Sequence, residues 1–145
     1  MASMILVDVN VLVYAHRPDA EDHFQYRDWL DRVLNSEATF GLADLVLSGV
    51  VRIVTNPRIF AKPTPLDVAL QFAESLREHE GCLLVSPGDR HWSIFTGLCR
   101  GVGAKGNIIS DAFHAALAIE SGAEWITADR DYARFPGLRW RHPLA

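Results

Sequence analysis

Residues 5–15 read ILVDVNVLVYA, and this stretch decides the fold. Ile5-Leu6-Val7 is continuously apolar, the pattern of a strand covered on both faces. The run stops at Asp8. Val11 to Ala15 then opens a short helix, stopped by Arg17-Pro18 because proline cannot donate to the helical ladder. The rest of the chain repeats this alternation. Between Asp22 and Ser36, Phe24, Trp29, Leu30, Val33 and Leu34 recur at helical spacing. Thr39-Phe40-Gly41 is a second strand, and Leu45 to Thr55 a helix ended by Asn56-Pro57. Thr64, as a hydroxyl cap, and Pro65, as the first helical residue, begin a helix to Glu78. Its inward side is expected to be Leu66, Ala69, Leu70, Ala73 and Leu76. Cys82 to Val85 is a third strand. Asp89 is expected to cap a helix through His91, Ile94, Phe95 and Leu98, followed by a glycine-rich loop at Gly101, Gly103 and Gly106. Ser110 or Asp111 begins a helix that Gly122 ends. Trp125-Ile126-Thr127 is a fourth strand and Leu138-Arg139-Trp140 a fifth. Strands alternating with helices predict an α/β fold with a mainly parallel sheet.

The 145 residues fit one domain, 1–145, with residues 1–3 as a loose N-terminal extension; no repeat or linker interrupts it. Hydrophobic residues make up 49% and charged residues 22%, which argues against disorder or a polar low-complexity chain. No apolar run approaches the roughly 20 residues of a membrane span, and no secretion signal opens the chain. Two cysteines are too few for a disulfide framework or a four-cysteine zinc site, so a reducing cytoplasm fits. The net charge of −4 excludes a broadly cationic nucleic-acid binder. Charge is nevertheless uneven. Asp19 to Glu37 is acidic, whereas Arg130, Arg134, Arg139 and Arg141 enrich the C-terminal stretch.

Three acids occupy informative positions. Asp8 follows the first strand, Asp129 follows the fourth, and Asp111 opens a late helix. In a parallel sheet the carboxyl ends of all strands share one edge, where ligands bind at the point of order reversal. Each acid alone has a plain structural role, as a turn residue or helix cap. Jointly they predict a cluster. Two carboxylates about 5 Å apart repel by roughly 3 kcal/mol at an effective dielectric near 20. A proton or a cation relieves that. All-oxygen ligation favours Mg²⁺ or Mn²⁺ over zinc, and such an ion can orient a water and stabilise the leaving oxygen of a phosphodiester. Asn10 either holds a metal-bound water or caps the first helix. Thr127 either points its hydroxyl into the site or fills the strand.

The segments ILVDVNVLVYA, VVRIVTNPRIF, SDAFHAALAIESGAEWITADRDYARF and PGLRWRHPL reach from Ile5 to Leu144. In this order they resemble the PIN domain of the VapC toxin ribonucleases of VapBC toxin–antitoxin systems. The resemblance implies a three-layer α/β/α fold and Mg²⁺-dependent RNA cleavage, with Mn²⁺ substituting. It further implies a homodimer and inhibition by a VapB-like antitoxin. By position, Asp8, Asp111 and Asp129 match metal-holding acids, Asn10 their polar companion, and Asp131 an additional candidate. Arg52, Arg130 and Arg134 are candidates for steering RNA. The expected antitoxin surface is the acidic helix from Asp22 to Ser36 with the helix after Pro65, and a basic antitoxin tail can compete for the carboxylates. One departure stands out. Gly49 lies where the family commonly has a glutamate, which leaves Asp44 as a compensating acid or the site with fewer acids.

Other features are weaker. Asp111 and His114 are three apart on a helix, but zinc needs more convergent ligands; packing suits His114 better. His16 fits a loop surface better than an RNA contact. Gly101 to Gly106 lacks the phosphate-loop order. Trp29 and Trp125 read as core, while Trp92 and Trp140 are candidates for a partner-facing surface. Two alternatives to a ribonuclease remain: a non-catalytic binding or signalling module with an acidic Mg²⁺ pocket, such as a receiver domain, and a toxin-like protein that only binds its antitoxin.

Overall fold

The computed structural model describes residues 4–145; the expected extension at residues 1–3 lies outside them. Five short parallel strands form one sheet: β1 (Ile5–Val7), β2 (Phe40–Leu42), β3 (Cys82–Leu84), β4 (Glu124–Ile126) and β5 (Trp140–Arg141). Their order is β3-β2-β1-β4-β5. Six α-helices connect them: α1 (Val9–His16), α2 (His23–Asn35), α3 (Asp44–Val54), α4 (Leu66–Arg77), α5 (His91–Val102) and α6 (Asn107–Ser121). A 3-10 turn spans Arg130–Arg134. The first two crossovers run outward from β1 to β3, and the third returns across the sheet to β4. Right-handed connections therefore place α1–α4 on one face and α5–α6 on the other. The packing agrees: α1 meets α2 and α3, α3 meets α4, and α5 meets α6. The architecture is three-layered, as expected. The strand order also excludes the receiver-domain alternative, whose sheet runs 2-1-3-4-5.

The core sits where the apolar runs meet. Leu6, Val7, Leu12, Phe40, Val50, Leu117, Trp125 and Ile126 are each at most 2% exposed. The central pairing Leu6↔Trp125 and Val7↔Ile126 explains why these strands lack alternation: both faces are covered. Gly122 ends α6 with φ 74°, the left-handed turn that glycine tolerates best.

Several expected details change. Helix α1 begins at Val9 rather than Val11, with Asp8 as its cap. Helix α6 begins at Asn107, one turn before Ser110. Asp111 is therefore inside the helix and caps nothing; Ile108, packed against the core, belongs to the first turn. Thr64 does not cap α4, because its hydroxyl oxygen accepts from Arg17 Nη1 at 3.2 Å and meets His16 Nε2 at 3.1 Å. Asp89 does not cap α5. Among the described residues no side chain caps it; Glu120 of α6 instead fixes the loop before it, accepting from the Gly88 and Arg90 amides at 2.7 and 2.9 Å. Leu66 and Leu70, expected inward, are 58% and 39% exposed. Trp29 and Trp125 are core as expected, and Trp92 is exposed.

Candidate active site

The strand order reverses beside β1, so the crevice of this sheet opens past the carboxyl ends of β1 and β4. Asp8 stands at the first end and Thr127-Ala128-Asp129 at the second. The Asp8 amide still donates to the Ile126 carbonyl at 2.9 Å, which extends the β1–β4 ladder into the site. Asp111 arrives from the second turn of α6. All three carboxylates line one cleft of about 390 Å³, with Asn10, Arg52, His114 and Tyr132.

Asp8 is 6% exposed. Its Oδ1 accepts from the Val9 amide at 2.6 Å and its Oδ2 from the Thr127 hydroxyl at 2.7 Å. Burial pushes its pKa up to about 6; the two hydrogen bonds oppose this, and the Asp111 and Asp129 charges add to it. Thr127, fully buried, is the hub: its Oγ1 also accepts from the Asp129 amide at 3.0 Å and from Asn10 Nδ2 at 3.4 Å. Asn10 Oδ1 accepts from the Ala128 amide at 3.2 Å. Thr127 and Asn10 thus tie the end of β1 and the start of α1 to the end of β4; Thr127 does more than fill the strand, and Asn10 does not cap the helix.

Asp111 Oδ1 accepts from the buried Tyr132 hydroxyl at 3.2 Å. Burial raises the Asp111 pKa, Tyr132 opposes it, and Asp129 adds to it. Asp129 Oδ1 accepts from the Asp131 amide at 2.9 Å, capping the 3-10 turn. Each acid is held by its own donors. Among the described residues, no three Asp, Glu, His or Cys side chains form a ready ion cage. The acids the cleft presents are oxygen donors, a donor set that fits a hard cation.

The remaining candidates fall elsewhere. Asp131 is exposed beside the cleft and pairs with Arg134 at 3.5 Å. Arg130 is exposed and does not line the cleft, while Arg52 does. Asp44 cannot substitute for a missing acid, since Arg77 binds it at 2.9 and 3.3 Å in the groove between α3 and α4. Gly49 packs against Val9: a Cβ there would meet Val9 Cγ2 at 3.1 Å, so the glycine lets α3 close on α1. His114 packs at 5.5 Å, stacked on Trp125, and burial lowers its pKa to about 4. It is a neutral packing residue, as expected. His16 rests against Phe72 and Thr64. Tyr132 was not legible beforehand, because nothing in its spacing from Asp129 predicts a contact back to α6.

Fold and site together define a parallel α/β domain with an acidic cleft at its switch point. The PIN domain family model matches residues 5–138. Ribonuclease VapC43 of Mycobacterium tuberculosis (strain H37Rv) is 49% identical over 141 residues, covering 97% of this chain and 96% of its own. Ribonuclease VapC25 of the same organism is 39% identical over 140 residues, covering 97% and 99%. The solved structure of VapBC2 from Rickettsia felis, bound to a promoter DNA fragment, superposes with a TM-score of 0.71 at 16% identity, covering 96% of this chain and 98% of that one. This chain belongs to the PIN-domain family and, within it, to the VapC ribonucleases. No helix among the described residues is long and apolar enough to cross a membrane.

Proposed function

We propose that this chain is the toxin of a type II toxin–antitoxin pair and a divalent-metal-dependent endoribonuclease. Asp8, Asp111 and Asp129 would hold Mg²⁺, or Mn²⁺ in its place, with Asp131 as an outer acid. The single observation that carries this reading is the convergence of three carboxylates from β1, α6 and the β4 end on one cleft. The ion, when bound, lowers the pKa of a water and neutralises charge on the scissile phosphate. The protein's own work is positional. Thr127 fixes Asp8, Asn10 ties the two strand ends, and Tyr132 fixes Asp111. Arg52, on the cleft wall, meets the RNA backbone, and Arg130 and Arg134 contribute charge outside it.

A VapB-like antitoxin is the proposed partner, a homodimer the proposed assembly, and the cytoplasm the proposed compartment. Exposed Phe24 on α2 and Leu66, Val68 and Leu70 on α4 supply apolar surface for the antitoxin. The acids of α2 are partly self-neutralised, since Asp28 pairs with Arg32 and Asp31 with Arg27.

The test is cleavage mapping of total RNA by the purified protein, with Mg²⁺, with Mn²⁺ and with EDTA. Cuts at discrete positions that vanish in EDTA are expected. Intact RNA under all three conditions would leave only the antitoxin-binding role. A second outcome concerns Tyr132→Phe. The ring is kept and one hydrogen bond to Asp111 is lost, so the folding cost is about 1 kcal/mol. Support to a ligand typically matters 10–100-fold in metal affinity or activity. The Mn²⁺ concentration for half-maximal cleavage should therefore rise about tenfold, with the rate at saturating Mn²⁺ near that of the parent.

A further inference from the structure

The cleft is not lined by acids alone; Ile53, Ile59 and Phe60 also line it. Ile59 is 53% exposed, and Phe60 is half-buried. Both belong to the segment Asn56–Phe60 that follows α3. That segment is tightly fixed. Asn56 Oδ1 accepts from the Arg58 amide at 2.9 Å, and the Asn56 carbonyl accepts from the Ile59 and Phe60 amides at 3.1 Å. Arg17, 7% exposed, secures it from behind. It donates to the Lys62 carbonyl at 2.8 Å, pairs with Asp19 at 2.7 Å, and sets its guanidinium carbon 4.1 Å from the centre of the Phe60 ring. A buried arginine therefore holds a loop that exposes Ile59 beside Pro57 and Arg58.

An apolar, part-aromatic surface kept rigid beside a phosphate-cleaving centre has a specific chemical complement. An unpaired nucleobase is flat and apolar on its faces, and it is tethered to the phosphate by a short sugar. Single-stranded RNA is commonly recognised by stacking of such bases. We propose that Ile59 and Phe60 form a subsite for one unpaired base next to the scissile phosphate, with Arg52 on the adjoining backbone. The proposal rests on the ribonuclease reading above. It predicts a preference for single strands, since pairing and stacking in a duplex cover that base.

The experiment is steady-state cleavage of a single-stranded RNA oligomer carrying a position cut by the parent protein. Matched oligomers carry an abasic nucleotide on one side of the cut or the other. The variants are Ile59→Ser, at an exposed position that does not threaten folding, and Phe60→Leu, which keeps apolar bulk without an aromatic face. The expected result is a KM raised roughly 5- to 100-fold with kcat within about twofold. On one abasic oligomer the parent and the variants should become equal. Unchanged kinetics in both variants would overturn the subsite while leaving the ribonuclease intact. So would a difference that persists on both abasic oligomers. Variants that lose antitoxin affinity with unaltered RNA kinetics would assign the surface to a protein instead, and a parent that cuts no RNA would remove both readings.

Discussion

Asp8→Asn should abolish metal-dependent RNA cleavage while giving a protein that is more stable than its parent above pH 6. The loss of activity follows from chemistry. Asparagine keeps the shape but removes a negative charge from the proposed ion site, and a lost ligand should exceed the 10–100-fold effect typical of outer contacts. The gain in stability follows from the folded environment. Asp8 is raised to about 6 by burial, against 3.8 unperturbed, so its charged form is disfavoured by about 3 kcal/mol in the fold. For an acid raised on folding, its stability contribution is full below 3.8 and is lost as pH rises through about 6. Asparagine can satisfy only one of the two donors, Val9 N–H and Thr127 O–H, that the carboxylate accepts; that loss offsets about 1 kcal/mol. The net gain near pH 8 is about 1–2 kcal/mol, and it disappears by pH 4. Urea unfolding at the two pH values, without divalent ions, measures this directly. Equal midpoints at pH 8, or full cleavage by the variant, would remove Asp8 from its assigned role.

The same residue shows how much was legible beforehand. A continuous apolar run ending in aspartate identifies a buried parallel strand, and the rule that strand ends share an edge places Asp8 near Asp129 from sequence alone. Gly122 marks the end of α6 for the same local reason. What escaped was set by distant partners. Asp111 moved from a helix start to a helix interior because Ile108 packs against the core, which sequence spacing cannot show. Thr64 has an ordinary capping sequence, but Arg17, far along the chain, claims its hydroxyl. Asp44 is close enough in sequence to stand in for the missing acid, but Arg77 of α4 binds it outside the cleft. Tyr132, in the 3-10 turn, meets Asp111 across 21 residues of sequence. The family resemblance points to candidate site residues; it carries none of these hydrogen bonds between residues distant in sequence.

Trp125→Ala should unfold the protein or nearly so, whereas Trp125→Phe should leave it folded and active. Trp125 is fully buried in β4, paired with Leu6 across the sheet centre and with Trp140 on the other side. It stacks on His114 at 5.5 Å and meets Tyr132 at the same distance, so it is the floor beneath the α6 and β4 acids. Truncation to alanine costs about 3–5 kcal/mol through lost burial and the cavity left behind. That is a large part of the 5–15 kcal/mol typical of a whole domain. Phenylalanine behaves differently because of an atom that tryptophan wastes. The indole Nε1 is buried without a partner, as is His114 Nδ1. An unsatisfied donor costs about 1–3 kcal/mol, and phenylalanine removes it while losing part of the ring area. The two effects oppose each other, so Trp125→Phe should change stability by no more than about 1–2 kcal/mol. Thermal unfolding of both variants and cleavage by Trp125→Phe provide the check. If the phenylalanine variant is as damaged as the alanine one, the indole nitrogen has a partner after all, and the centre of the sheet is more polar than the geometry implies.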